Sequence, residues 1–235
     1  MVKHPLPLRW QSAGPSFGAA PATYGPPRMR TNVYIDGFNL YFGCLKETPY
    51  RWLDLAKFCQ LVLPKHNIRR IRYFTATVQA RPEDPQKPVR QQTYIRALQT
   101  IPNLSIHYGH YLESVRRMPL AKPPAGGPRT VEVIKTEEKG SDVNLATYLV
   151  LDGFDKDYEA AVIVSNDSDL VEPIRIVRSR LGLRVGVLNP QKNTSWALQR
   201  AATFYRGVRA GVLKASQFPS TLQDPHGTIT KPTDW

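Results

Sequence analysis

Residues 160–170, AAVIVSNDSDL, constrain this chain more than any other stretch. Val162, Ile163 and Val164 form a short β-branched run, the pattern of a strand buried on both faces. The run breaks at once into Ser165, Asn166, Asp167, Ser168 and Asp169, a polar turn carrying two carboxylates. Leu170, Val171, Ile174 and Val177 then fall on one face of a helix. Strand, acidic turn and helix is the layout by which an open parallel α/β sheet presents a ligand beyond the carboxyl ends of its strands. The layout recurs near the start, where Thr31-Asn32-Val33-Tyr34-Ile35 runs into Asp36-Gly37-Phe38-Asn39. A further acid, Asp142, opens an expected helix in Lys139-Gly140-Ser141-Asp142-Val143-Asn144-Leu145. Three separated segments thus deliver acid toward one expected edge.

At 235 residues the chain is long enough for one substantial α/β domain. Residues 1–28, rich in Pro, Gly, Ala and Ser and without periodicity, are expected to be disordered. Met29 stands just before the first strand and is an alternative start. Residues 29–205 are expected to form the domain, and residues 206–235 to wrap its surface. No apolar run approaches the roughly 18 residues of a membrane span, and no signal-peptide pattern opens the chain. Cys44 and Cys59 lie outside any CxxC pair and read as free thiols of a reducing compartment, the cytoplasm.

Strands are expected at residues 32–36, 69–78, 104–112, 160–164 and 184–188. Helices are expected at 38–45, 52–62, 89–101, 142–152, from Leu170 to about Leu181, and at 195–205. Residues 116–128 read as a basic, breaker-rich loop, with residues 129–134 returning as an edge strand against 104–112. Strands alternating with helices imply a mainly parallel sheet.

Carboxylates gathered at strand ends suit a hard divalent cation, Mg²⁺ or Mn²⁺, held through oxygen. Two such ions activate water and stabilise the leaving oxygen of a phosphodiester. Asp36, Asp142, Asp167 and Asp169 are the four candidates as metal ligands and catalytic acids. Asn39, Ser165 and Asn166 are candidates to orient that loop or to contact substrate. Read singly, Asp142, Ser165 and Asp169 are equally well helix caps or first-turn acids. Glu137 and Glu138 are candidates to join the acidic site, with solvated turn charges the favoured reading, and Phe38, Tyr41 and Phe42 are candidates to stack bases, with core the favoured reading. His107 and His110 are three apart on an expected strand and so face opposite ways. The chain lacks GxGxxG and GxxxxGK[ST] patterns. Phe38 stands where a phosphatase of the haloacid-dehalogenase type needs the second Asp of Asp-x-Asp.

The net charge is +13, of which residues 1–30 carry +4 and residues 203–235 carry +2. The remaining +7 surrounds the acidic motifs, which suits a polyanion whose reacting phosphate meets metal. Arg81, Arg90, Arg116, Arg117 and Lys139 are the candidate phosphate guides.

Three motifs in order, Val33-Tyr34-Ile35-Asp36-Gly37-Phe38-Asn39, Lys139-Gly140-Ser141-Asp142-Val143 and Val164-Ser165-Asn166-Asp167-Ser168-Asp169-Leu170, resemble the NYN domain of the PIN-like nuclease superfamily. The resemblance spans roughly residues 31–190. It implies a PIN-like three-layer α/β/α sandwich and a Mg²⁺- or Mn²⁺-dependent ribonuclease site, with Asp36, Asp142, Asp167 and Asp169 as its acids and Asn39 beside them. Asn166 and Ser168 depart from the glycines many relatives carry there. RNA is the implied partner, no membrane is expected, and a homodimer stays open. The subgroup it looks most like is also linked by name to a 6-hydroxy-3-succinoylpyridine hydroxylase. A non-catalytic RNA-binding module is the third reading.

Overall fold

The computed structural model describes residues 28–235. The expected disorder of residues 1–28 therefore lies, Arg28 apart, outside the described residues. The first strand, β1 (Met29–Asp36), begins ahead of its apolar run because Met29, Arg30 and Thr31 pair with His66, Asn67 and Ile68 of β2 (His66–Ala76). Val33 and Ile35 enter the core on one side of the sheet and Tyr34 on the other, all three fully buried. This is the period of two that a strand covered on both faces must show.

From β2 the sheet continues in parallel to β3 (Leu104–Pro119), and β4 (Thr130–Lys139) closes that edge antiparallel to β3. On the other side of β1 follow β5 (Ala160–Val164), β6 (Arg184–Asn189) and β7 (Phe204–Gly207), all parallel. The order is β4-β3-β2-β1-β5-β6-β7. Helices α1 (Gly37–Leu40), with a π-helical continuation Tyr41–Leu45, α2 (Leu55–Val62) and α3 (Lys87–Gln99) cover one face. Helices α4 (Ser141–Phe154), α5 (Val171–Arg180) and α6 (Trp196–Ala201) cover the other. The result is the expected three-layer α/β/α sandwich of PIN-like type. Among the described residues no helix is long and apolar enough to cross a membrane.

The order reverses between β1 and β5. The chain first winds outward through β2, β3 and β4, then α4 carries it back over the sheet to β5 on the far side of β1. That reversal leaves a crevice between the carboxyl ends of β1 and β5, where open α/β sheets bind ligands. Asp36 and Ser165 stand at its two lips.

Three elements differ from the sequence reading. β3 runs on to Pro119 and pairs with β4 from His110 opposite Lys139 to Pro119 opposite Thr130. The basic segment 116–128 is therefore partly strand, and the returning strand is longer than residues 129–134 and pairs beyond Leu112. The outer ribbon packs on little else, with Val115 67% and Ile134 71% exposed, so burial imprints no one-sided apolar pattern on it. The expected helix over 195–205 ends at Ala201, and Phe204–Gly207 becomes β7. The Phe204 ring lies against Gly186, where any Cβ would overlap it.

The C-terminal segment contributes to the core as well as to the surface. Leu213 of α7 (Ala210–Ala215), Phe218 and Ile229 are buried in the same cluster as Trp52. The Trp52 indole N–H donates to the Pro219 carbonyl at 2.8 Å, and the Phe218 amide donates to the Trp52 carbonyl at 3.0 Å. A hairpin of β8 (Thr221–Asp224) and β9 (Gly227–Thr230) follows, and Asp224 there takes two hydrogen bonds from Arg96 of α3.

Candidate functional site

Asp36 ends β1 and is almost fully buried. One carboxylate oxygen accepts the Asn39 backbone N–H at 2.8 Å, which caps α1, and the other accepts the Ser165 hydroxyl at 2.9 Å. The second bond ties the carboxyl end of β1 to that of β5 across the crevice. Ser165 Oγ in turn accepts the Asp167 N–H at 3.1 Å, and Asp167 accepts the Asp169 N–H at 2.9 Å. The five residues 165–169 therefore turn on their own side chains before α5 begins. Asp167 is a cap, as is Asp36; capping uses one oxygen of Asp167, and each oxygen of Asp36 keeps a lone pair beyond the one hydrogen bond it accepts.

Asn39 and Asn166 hold the two lips together. The Asn39 side-chain oxygen accepts the Asn166 N–H at 3.1 Å and the Gln191 amide at 3.2 Å. The Asn166 side chain donates to the Asn193 carbonyl and accepts from the Tyr205 hydroxyl at 2.7 Å and the Ser195 N–H. The Asn166 side chain and the Asn39 side-chain oxygen are thus spent on loop architecture. Gln191, Asn193 and Tyr205 went unnoticed in the sequence. The available signal was their position, because the polar run after β6 also leaves the carboxyl end of a parallel strand.

Asp142 stands in the first turn of α4, after Gly140 takes a left-handed φ of 99°. Burial, first, and then the charges of Asp36, Asp167, Glu138 and Asp169 push its carboxyl up to about 6. That list of neighbours is the convergence expected from the motifs, with one addition. Glu138, read as a solvated turn charge, instead accepts the Ser141 N–H at 3.1 Å and the Ser141 hydroxyl at 2.6 Å. It caps α4 from the strand before it and faces the acids. Asp36 is also raised, by burial first. Among the described residues no three His, Cys, Asp or Glu side chains already stand as a compact metal centre. The donor chemistry nevertheless fits a hard cation, because the set is all carboxylate and its charges raise the proton affinity of Asp142 and Asp36.

The basic candidates are not brought to the acids. Lys139 projects on the face of β4 opposite Glu138 and lies 3.8 Å from Glu137. Arg116 and Arg117 sit six and seven residues out from His110 on the β3–β4 ribbon, roughly 20 Å away, and Arg117 pairs with Glu132. Arg90 is committed to Asp84 at 2.5 Å and to Asp234 at 3.6 Å. Arg81 remains exposed and lies 3.8 Å from Glu83.

Two expected results follow from this geometry. Asp142 binds its proton more tightly in the folded state than in the unfolded chain. Its contribution to stability therefore falls as pH rises from 3.8 through about 6, and is level above. Because the group is only partly buried, solvent screening reduces the effect to roughly 1–2 kcal/mol. Asp142→Asn should accordingly be more stable than the parent at pH 7 and equal to it near pH 3, as read by urea unfolding. Equal stability at both pH values would remove the repulsion. Second, a Cβ on Gly109 would meet the Glu138 carboxylate and stand 2.5 Å from the Lys139 carbonyl. Gly109→Ala should cost about 1–3 kcal/mol and displace the start of α4, whereas Gly211→Ala, with open space around it, should not.

Comparison with known proteins agrees with this architecture. The NYN domain family matches residues 30–206. A Pseudomonas putida (strain DSM 28022 / S16) protein named 6-hydroxy-3-succinoylpyridine 3-monooxygenase HspA is 32% identical over 237 residues, covering 88% of this chain and 75% of its own. The crystal structure of a Vibrio parahaemolyticus protein of unknown function superposes with a TM-score of 0.52 at 15% identity, over 79% of this chain and 96% of that one. With its acids at the β1/β5 crevice and a family match running from the first strand to the last of the central sheet, the chain belongs to the NYN domain family of the PIN-like nuclease superfamily.

Proposed function

We propose that this NYN domain hydrolyses RNA phosphodiester bonds with the help of Mg²⁺ or Mn²⁺. The observation that carries the reading is the meeting of Asp36, Asp142, Asp167 and Asp169, from three separate segments, at the topological switch point of the sheet. These four acids would hold the cation, with Glu138 beside them. When bound, it supplies charge for the developing phosphorane oxygens and lowers the pKa of water. Ser165 aims Asp36 by donating to it and favours its ionised form against the burial that disfavours it. The bonds joining Asn39, Asn166 and Gln191 fix the spacing of the two lips, so the acids need little reorganisation as charge develops. NYN and PIN-like nucleases generally use divalent metals.

The name of the Pseudomonas relative raises a second reading, hydroxylation of a pyridine. That reaction needs dioxygen and two electrons. The all-carboxylate donor set is better suited to a hard, redox-inert cation. Incubating the protein with labelled single-stranded and structured RNA, with and without Mn²⁺, tests the nuclease. A parallel incubation with 6-hydroxy-3-succinoylpyridine, NADH and flavin tests the other. Turnover only in the second would overturn the proposal. Nucleic-acid binding should also weaken steeply with salt. Three phosphate contacts on a single strand give a log–log slope of about −2, and a flat plot would remove RNA as the partner.

A further inference from the structure

Resting on the nuclease reading, we infer that the cavity beside the acids receives the base of the nucleotide adjoining the scissile phosphate. The cavity holds about 170 Å³ and is lined by Phe38, Tyr41, Tyr73, Thr75, Lys87 and Trp235, among others. Its wall and the acid site share a backbone, because Gly37 and Phe38 line the cavity and directly follow Asp36. A phosphate held at the acids through the cation would thus have its own sugar near Gly37 and Phe38, at the cavity wall.

The lining is suited to a flat ring. Phe38 stands edge-on to Tyr111 at 6.0 Å, and Tyr41 supplies a second aromatic wall. Tyr73 and Thr75 alternate onto the same face of β2 and put hydroxyls into the floor. Gly37 leaves the Tyr73 hydroxyl its room, since a Cβ there would stand 2.7 Å from that oxygen. The Gln91 amide, by contrast, is used up, accepting the Val78 N–H and donating to the Ala76 carbonyl, each at 2.8 Å. With few free polar groups, recognition rests on stacking, which every base supports.

The cations at the mouth are unequal. Arg90 is neutralised by Asp84 and Asp234, whereas Lys87 makes no ion pair among the described residues. Val78, Lys87 and Tyr111 are shared with a second cavity of about 90 Å³, which runs past Arg81, Glu113 and Thr136 along the ribbon face that carries Tyr111. The two together make a track from the acids past one bound base to two basic side chains, as a single strand requires. The sequence had marked Phe38 and Tyr41 chiefly as core; both are only partly buried and face this space.

The test uses the full chain and four 5′-nucleoside monophosphates, with ribose 5-phosphate as the base-free control, read by calorimetry. All four nucleotides should bind within about tenfold of one another, and ribose 5-phosphate at least tenfold more weakly. Tyr41→Phe should keep binding, and Tyr41→Leu, similar in bulk but without the ring, should lose roughly tenfold or more, with melting curves confirming that both variants fold. An RNA with one abasic nucleotide should bind roughly tenfold to a hundredfold more weakly than the intact strand to the parent protein, and equally to Tyr41→Leu. If RNA is cleaved while the abasic strand binds as well as the intact one, the inference falls and the nuclease stands. If RNA is not cleaved but nucleotides bind through Tyr41, the base cavity stands and the nuclease falls. Preference for 6-hydroxy-3-succinoylpyridine over every nucleotide would overturn the inference and assign the cavity to a small aromatic acid.

Discussion

Asp36→Asn and Asp167→Asn should each lower metal-dependent RNA cleavage by about a thousandfold while leaving the apo protein as stable as before or more so. The loss follows from the several kcal/mol of charge stabilisation a bound cation supplies, each 1.36 kcal/mol being tenfold in rate. The stability result follows from geometry. An asparagine oxygen at position 36 still accepts the Asn39 N–H, and one at position 167 still accepts the Asp169 N–H, so neither cap is lost. What disappears is a negative charge that burial disfavours at Asp36 and that Asp142 feels from its neighbours; at position 36 the Ser165 hydroxyl, which donated to the second carboxylate oxygen, accepts from the new amide instead. The gain should reach at most roughly 1 kcal/mol. Added Mn²⁺ should stabilise the parent by about 2.7 kcal/mol at a hundredfold excess over the dissociation constant, and the variants far less. Thermal melts with and without Mn²⁺ read this directly. A parent protein indifferent to metal, with both variants strongly destabilised, would make the acids structural caps and end the nuclease reading.

The largest effect on stability should come from a residue remote from the chemistry. Arg72 of β2 donates two hydrogen bonds to Asp152 of α4, at 2.8 and 2.7 Å, and Tyr34 of β1 donates a third at 2.7 Å. The pair is almost wholly buried, its side chains 10% and 7% exposed, and the guanidinium lies 4.3 Å from the centre of the Tyr148 ring. Arg72→Met strands the Asp152 carboxylate among apolar neighbours and should cost about 3–5 kcal/mol, a fall in melting temperature of roughly 6–20 °C for a chain of this size. The double variant Arg72→Met/Asp152→Leu should recover much of that, because no unpaired charge remains. A single-variant cost no greater than that of Arg117→Ala, whose pair is exposed, would show that the interior compensates. The pair also bears on the site, since it pins to β1 and β2 the helix whose first turn carries Asp142.

The sequence alone determined the mainly parallel α/β sheet and the acids at its edge, because both rest on short-range physics, while the three-layer sandwich was what the resemblance to NYN domains implied. A β-branched run followed by a carboxylate turn encodes a buried strand end within a dozen residues, and it did so at Asp36 and at Asp167 without help from the rest of the chain. Periodicity likewise placed α2, α3, α4 and α5 to within a few residues. Tertiary structure decided whatever depended on what lay opposite. Glu138 differs from Glu137 only by strand alternation, and which of the two faces the acids is set by β4 pairing with β3. Phe204 joins a strand because Gly186 across the sheet leaves space for its ring. Lys139, Arg116 and Arg117 fit a phosphate in composition, yet the β3–β4 ribbon directs them away from the crevice. Phe38 and Tyr41 carry the apolar pattern of a core, and only the packing of α1 and its π-helical turn against α3 and β2 opens a cavity before them. Local pattern records which side chains are apolar or charged; the space and partners each one meets are long-range contacts that no local pattern contains.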